Sequence, residues 1–399
     1  MIAIEKRIKR HILSRPASFF ASTAPGIETL CHTELLNLGF PAESLITETG
    51  GVVFSGRVHD GYLANLYLRT ANRILMRMAV FSATHFRGFE KHAADLPWEL
   101  YLPSYADCRI NVASKKSRLF HSDALADRLN AAIAQRRQTA GIMPSPDVFD
   151  AKPLQRIFVR AQDDRFTISL DSSGELLHRR GIKTHAAIAP IRETIASAIL
   201  MLSGYRPGDP LVDPMCGAGT FSLEAAMITN HIPAGWYRGF AFMEWPCFKE
   251  TRWRHLRREA NKKMRDNADH PLIFTSDIDP NACRDLKNAV RRPELEGTMT
   301  ISIRNFFDLT PADFPIPASR VMDALMVINP PYGRRLAAAS SEKQDFAAIC
   351  RKLTTDFKGW KVALIAPEQH LLNHAPRGLT ARSFFHGGLR PYLLTGRIA

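Results

Sequence analysis

The stretch that most constrains this chain is Leu211-Val212-Asp213-Pro214-Met215-Cys216-Gly217-Ala218-Gly219-Thr220. A short apolar run ends in a carboxylate, and a turn with glycines spaced Gly-x-Gly follows. Next comes an amphipathic helix through Leu223, Ala226, Met227 and His231. This order describes the first βα unit of a doubly wound α/β sheet of the nucleotide-binding kind. Gly217 and Gly219 can adopt the positive φ that a tight strand-to-helix turn needs, and without Cβ atoms they let a ligand lie against the backbone. Position 222, where the dinucleotide pattern wants a third glycine, holds Ser222, and the Gly-Lys-Ser/Thr of a P-loop is absent from the sequence. The loop predicts a seat for a cofactor without a pyrophosphate.

Two later stretches extend the pattern. Pro271 through Asp277 reads as a second buried strand ending in an acid, followed by Ile278, and such sheets bind the two hydroxyls of a ribose there. Val321 through Ile328 reads as an apolar strand that runs directly into Asn329-Pro330-Pro331-Tyr332. That tetrapeptide suits methylation of an exocyclic amine. The lone pair of such an amine is delocalised into its ring, so the nitrogen is a poor nucleophile. The Asn329 carboxamide oxygen and the Pro330 carbonyl can accept its two N–H bonds and favour a pyramidal nitrogen. The two prolines fix the backbone so that the acceptors converge, and Tyr332 offers a face for an extruded base.

With these motifs in this order, the sequence resembles the S-adenosylmethionine-dependent amino methyltransferases with a Rossmann-like sheet. More narrowly it is similar to the THUMP-domain RNA methyltransferases that make N2-methylguanine in 23S ribosomal RNA, often catalogued as N6-adenine-specific DNA methylases because of the Asn-Pro-Pro-Tyr. The resemblance runs almost the whole length. It implies three regions: a basic lead-in with a ferredoxin-like α+β domain over 1–79, a THUMP RNA-binding domain over 80–170, and the Rossmann-like methyltransferase domain over 171–399. It implies S-adenosyl-L-methionine as cofactor, with Asp213 orienting the amino-acid end and Asp277 binding the ribose. Pro214, Cys216, Thr220, Ile278 and Asn329 complete the seat. Pro190 and Glu193, at the start of a helix running to about Leu202, form its roof, while Asn305 or Asp308 meets the adenine.

Lys plus Arg number 53 against 39 Asp plus Glu, a net charge of +14, and an excess this large points to a polyanionic partner. The candidate RNA contacts are Lys115, Lys116 and Arg118 in a basic loop, with Ser122 expected to cap the next helix, then Arg179 and Arg180. Arg254 and Arg258 follow in a helical stretch crowded with cations from Lys249 to Arg265. Arg69 and Arg73, four apart, are expected on one helix face, touching RNA or an internal acid. The aromatic residues from Trp236 to Trp245 are read as core. The six cysteines form no Cys-x-x-Cys pair, so no metal is expected. With no apolar run of transmembrane length and no signal peptide, the expected location is the cytoplasm, with no membrane partner. The chain is expected to lack the second methyltransferase domain that fused relatives append.

The predicted activity is methyl transfer to the N2 amine of a guanine in RNA, with 23S rRNA or a pre-ribosomal particle as partner. Three alternatives stand beside it: an N6-adenine DNA methyltransferase, a tRNA guanine-N2 methyltransferase, and a catalytically inactive RNA-binding assembly factor.

Overall fold

The computed structural model describes residues 2–8, 12, 16–104, 106–141, 154–182, 191–264, 272–331, 339–386 and 388–399. Its contacts divide the chain into two units. The first comprises Met1–Thr23, Cys31–Leu177 and Tyr237–Arg258, and the second Ala24–Leu30, His178–Trp236 and Glu259–Ala399.

In the first unit, β1 (Ala17–Ser22), β2 (Leu45–Glu48), β3 (Gly51–Gly56), β4 (Arg73–Ser82), β5 (Asp107–Lys115), β6 (Leu154–Gln162) and β7 (Arg165–Asp171) form one sheet in the order β2-β3-β1-β4-β7-β6-β5. Neighbours are antiparallel except β5 and β6, which run parallel. Central β4 passes through residues 79 and 80, so the two expected N-terminal regions share a sheet. The helices in chain order are α1 (Ile2–Ile8), α2 (Glu28–Asn37), α3 (Val58–Tyr67), α4 (Phe86–Ala94) and α5 (Ser122–Thr139). A parallel pair needs a crossover, and α5 supplies it, burying Leu125, Leu129 and Ile133 at a four-residue spacing.

Two local expectations are corrected. Ser122 is the first helical residue of α5, His121 holds the N-cap, and no side chain caps it. Arg69 and Arg73 do not share a helix, because α3 ends at Tyr67 and Arg73 opens β4, where its guanidinium pairs with the buried Asp171 carboxylate. The aromatic stretch after residue 236 is core: the Phe242 ring stacks on Tyr62 with centroids 4.2 Å apart, and Trp245 Nε1 donates to Gln155 Oε1 at 3.1 Å.

The second unit carries β8 (Leu211–Asp213), β9 (Ile273–Asp277), β10 (Met299–Ile303), β11 (Leu325–Ile328), β12 (Lys361–Ala366), β13 (Leu379–Ser383) and β14 (Tyr392–Arg397), in the order β10-β9-β8-β11-β12-β14-β13. β8 through β12 are mutually parallel and β14 is antiparallel to both its neighbours. The helices of this unit are α6 (Glu193–Leu202), α7 (Thr220–Thr229), α9 (Pro280–Ala289) and α10 (Ala339–Asp356), and α8 (Glu250–Lys263) begins in the first unit and ends in the second. This is the doubly wound Rossmann-like sheet that the motifs predict. β11 is shorter than expected, because Ala318–Asp323 forms a 3₁₀ turn. Val212, Met326, Ile328, Leu353, Phe357, Val362 and Leu364 are fully buried in one cluster that fixes the sheet against α10. From β8 the chain winds one way through β9 and β10, and from β11 the other way through β12. The crevice between the carboxyl ends of β8 and β11 is therefore where a doubly wound sheet takes its ligand.

Candidate active site

The glycine loop leaves β8 on one side of that crevice, and Asn329-Pro330-Pro331 leaves β11 on the other. The loop is tied to β9: Cys216 N donates to Ser276 O at 3.0 Å, and Gly217 N donates to the Asp277 carboxylate at 2.7 Å. Gly217 and Gly219 have φ of +51° and +69°, the left-handed region their positions were expected to need. They serve different ends. A Cβ on Gly219 would lie 2.5 Å from the Leu286 side chain of α9, whereas a Cβ on Gly217 would meet nothing within 4 Å. Gly219 lets a helix pack, and Gly217 leaves room for a ligand.

Asp277 is half-buried, with one oxygen accepting from Gly217 N and the other from Asp279 N at 2.9 Å. A carboxylate offers about four acceptor positions. The backbone amides leave two for a diol, held in fixed orientation. The next residue, Ile278, is 68% exposed, an apolar surface beside that carboxylate. Asp213 sits deeper: it is buried and accepts from Ser222 Oγ at 2.8 Å, and Ser222 Oγ in turn accepts from Thr275 Oγ1 at 2.7 Å. The Asp213 carboxylate, expected to orient the cofactor's amino-acid end, is instead buried and braces β8, β9 and α7 beneath the loop. Pro214 and Thr220 are buried, and Glu193, at the first turn of α6, is half-buried. Burial, with Asp213 and Asp277 nearby, pushes the Cys216 thiol far above its ordinary range, which disfavours the thiolate.

After β10, Asn305 Oδ1 accepts from Phe307 N at 3.1 Å and caps a 3₁₀ turn in which Phe306 is buried core, while Asp308 is exposed. A cavity of about 100 Å³ is shared by Met215 of the glycine loop, Phe307, Pro330, Pro331, and Phe346 and Ile349 of α10. It joins the loops after β8 and β10 to the Asn329 turn. Asn329 Oδ1 is buried and has no hydrogen-bond partner among the described residues. An acceptor left so costs about 1–3 kcal/mol, which a fold tolerates where a ligand will bring the donor. Pro190 and Tyr332 lie outside the described residues.

The expected RNA contacts divide. Lys115, Lys116 and Arg118 are exposed between β5 and α5, with Phe120 62% exposed beside them; the Arg118 guanidinium lies 3.9 Å from Asp164. Arg254 and Arg258 are exposed one turn apart on α8, and Arg254 reaches Glu250 at 2.6 Å. Arg179 is exposed. Arg180 is corrected: it is buried and forms a two-point ion pair with the buried Glu224, Nε to Oε1 at 2.9 Å, so the interior holds the charge that was expected to face RNA.

Comparison with known proteins places this geometry. The profile of the RMKL-like methyltransferase domain matches residues 180–384, and that of the RlmL ferredoxin-like domain matches residues 18–75. The chain belongs to the RMKL-like methyltransferase family. The methyltransferase is 32% identical to a Synechocystis protein that carries the provisional name of RNA methyltransferase, over 94% of this chain and 95% of that one. It is 31% identical to the ribosomal RNA large subunit methyltransferase K/L of Syntrophotalea carbinolica, over 97% of this chain but 54% of the relative, so it spans about half the length of such relatives. A provisionally named methyltransferase crystallised in complex with SAH superposes with a TM-score of 0.81 at 28% identity, covering 97% of this chain and 99% of that one.

Several residues that shape the site escaped sequence reasoning. Ser222 and Thr275 carry the brace under the loop, and Glu224 answers Arg180 and accepts from Ser197 Oγ. The available signal was α7 itself, whose residues from Thr220 to Met227 are all buried. A glutamate in a helix buried on every side requires a partner. Among the described residues no helix is long and apolar enough to cross a membrane, and no cluster of three or more His, Cys, Asp or Glu is placed to hold a metal.

Proposed function

We propose that this methyltransferase uses S-adenosylmethionine to methylate the exocyclic N2 amine of a guanine in RNA, with 23S ribosomal RNA as the substrate. The observation that carries the reading is the buried, partnerless Asn329 Oδ1 at the carboxyl end of β11, across the crevice from a glycine loop open at Gly217. S-adenosylmethionine supplies an electrophilic methyl group carried on a sulfonium. Asp277 accepts the ribose hydroxyls, Ile278 lies against the adenine, and Asn305 Oδ1 or the Asp308 carboxylate accepts from the adenine amine. Gly217 admits the ligand to the backbone, and Asp213 keeps the loop in place from below. Asn329 Oδ1 and the Pro330 carbonyl accept from the target amine and orient its lone pair, and Tyr332 stacks on the base. Holding the two reacting atoms in line supplies most of the acceleration. The RNA assignment rests on the K/L relative's name, on the net charge of +14 and on the exposed basic loop from Lys115 to Arg118. Residues 80–170 are assigned to RNA binding in the manner of a THUMP domain.

Nucleoside mass spectrometry of ribosomal RNA from a deletion strain and its parent tests the reading. N2-methylguanosine is expected to fall by one site per ribosome. Unchanged ribosomal RNA together with a loss of N2-methylguanosine from transfer RNA would move the substrate, and a loss confined to genomic N6-methyladenine would overturn the assignment.

A further inference from the structure

The turn between β13 and β14 emerges at the same end of the second sheet as the catalytic turn. Ile328 of β11 is in register with Leu364 of β12, Ala366 two residues on pairs with Tyr392 of β14, and Tyr392 pairs with Ser383 of β13. The residues between Ser383 and Tyr392 therefore stand over the carboxyl edge of the parallel strands, on the side of β11 away from the glycine loop. Backbone bonds tie its described residues together. Phe384 is buried and its N–H donates to Pro391 O at 3.0 Å, and His386 and Leu389 exchange two backbone bonds of 3.1 and 2.9 Å.

The turn presents apolar surface beside a cation. Phe385 is 43% exposed and Leu389 55% exposed, and the Arg390 guanidinium lies 5.3 Å from the Phe385 ring centroid. His386 Nδ1 is buried without a hydrogen-bond partner among the described residues, and burial together with Arg192 holds its ring below the ordinary imidazole range. From Gln369 to Ala399 the sequence has Arg377, Arg382, Arg390 and Arg397 and no aspartate or glutamate. An exposed ring with a guanidinium on it, in a segment whose charged side chains are all basic, is complementary to a base and its phosphate.

We propose that Phe385 and Arg390 form a subsite for an unpaired nucleotide flanking the target in single-stranded RNA, with the base stacked on Phe385 and the phosphate against Arg390. This rests on the RNA reading above and deepens it: the substrate is a loop, bulge or end whose neighbouring base is splayed out, because a base held in a duplex cannot reach an aromatic face. The turn holds the neighbour while the Asn329 turn holds the target.

The test uses the full chain with Phe385→Ala and Phe385→Trp. Fluorescence anisotropy measures binding of a short, guanine-containing single-stranded RNA, and calorimetry measures binding of S-adenosylmethionine. Phe385→Ala is expected to weaken RNA binding about tenfold, the scale of one lost base–aromatic stack, with cofactor binding unchanged. Phe385→Trp retains RNA binding, and the emission of the new indole is quenched as RNA is added. If wild type binds the RNA and Phe385→Ala binds it equally well, or the tryptophan emission does not move, the subsite is overturned while the RNA reading stands. If wild type binds no RNA, both fall.

Discussion

A methyl group added at Gly217 and one added at Gly219 would meet different fates, and the difference separates folding from binding at the level of single residues. At Gly219 the new Cβ meets Leu286 at 2.5 Å in a backbone with φ of +69°. The left-handed conformation costs an alanine about 1–2 kcal/mol, and overpacking adds about 1–3 kcal/mol. Gly219→Ala should therefore lower thermal stability visibly, which differential scanning calorimetry checks. At Gly217 only the conformational cost applies, because the added methyl points into open space. Gly217→Ala should leave the melting temperature within a few degrees of wild type while reducing S-adenosylmethionine affinity by roughly tenfold or more, since the proposed cofactor seat occupies that space. Equal cofactor affinity in Gly217→Ala would show that the ligand lies elsewhere. Asn329→Ala should do the converse: under the proposed mechanism methyl transfer is lost while cofactor affinity is nearly unchanged, because the partnerless oxygen is assigned to the target amine. Single-turnover kinetics beside calorimetry would separate the two, and wild-type turnover in that variant would end the assigned mechanism.

At the scale of elements, motifs that end strands were legible and pairings between segments far apart in the chain were not. The glycine loop, the acid-tipped β9 and the Asn-Pro-Pro turn were readable because each couples a short apolar run to a turn of fixed chemistry, a local pattern. Arg180 was misread for the opposite reason. Its partner Glu224 is 44 residues away on α7, where Ser197 of α6 also donates to the same carboxylate, and no local pattern links the three. The same holds for Arg69 and Arg73, where helical spacing suggested a shared face but α3 ends first. The buried pair makes a definite prediction. Removing one partner strands a charge, so Arg180→Ala or Glu224→Ala should destabilise by about 3–5 kcal/mol, whereas the double variant Arg180→Met/Glu224→Leu should recover most of that loss. Denaturant titration of all three checks it. A double variant as unstable as the sum of the singles would mean the pair does more than neutralise itself.

Across the whole molecule, the two units are not consecutive halves of the chain. Residues Tyr237–Arg258 follow the strand and helix that begin the methyltransferase sheet, yet their contacts group them with the N-terminal unit. No local composition marks that return, because Phe242 and Trp245 would be core in either unit. The charge, by contrast, is legible from composition alone, and its consequence is measurable. Contacts that neutralise phosphates release counterions, so the logarithm of RNA affinity falls linearly with the logarithm of salt, by about 0.7 per contact for single strands. Lys115, Lys116 and Arg118 are all exposed at the end of β5 and in the loop that follows it in the first unit. If each meets a phosphate, replacing the three with alanine should reduce the slope by about 2 and weaken binding most at low salt. The substitutions should leave the transfer rate of bound RNA unchanged, because the residues proposed to orient the amine belong to the second unit. A slope identical to wild type would remove this loop from the RNA path and assign the electrostatic contact to α8, where Arg254→Glu and Arg258→Glu make the corresponding measurement.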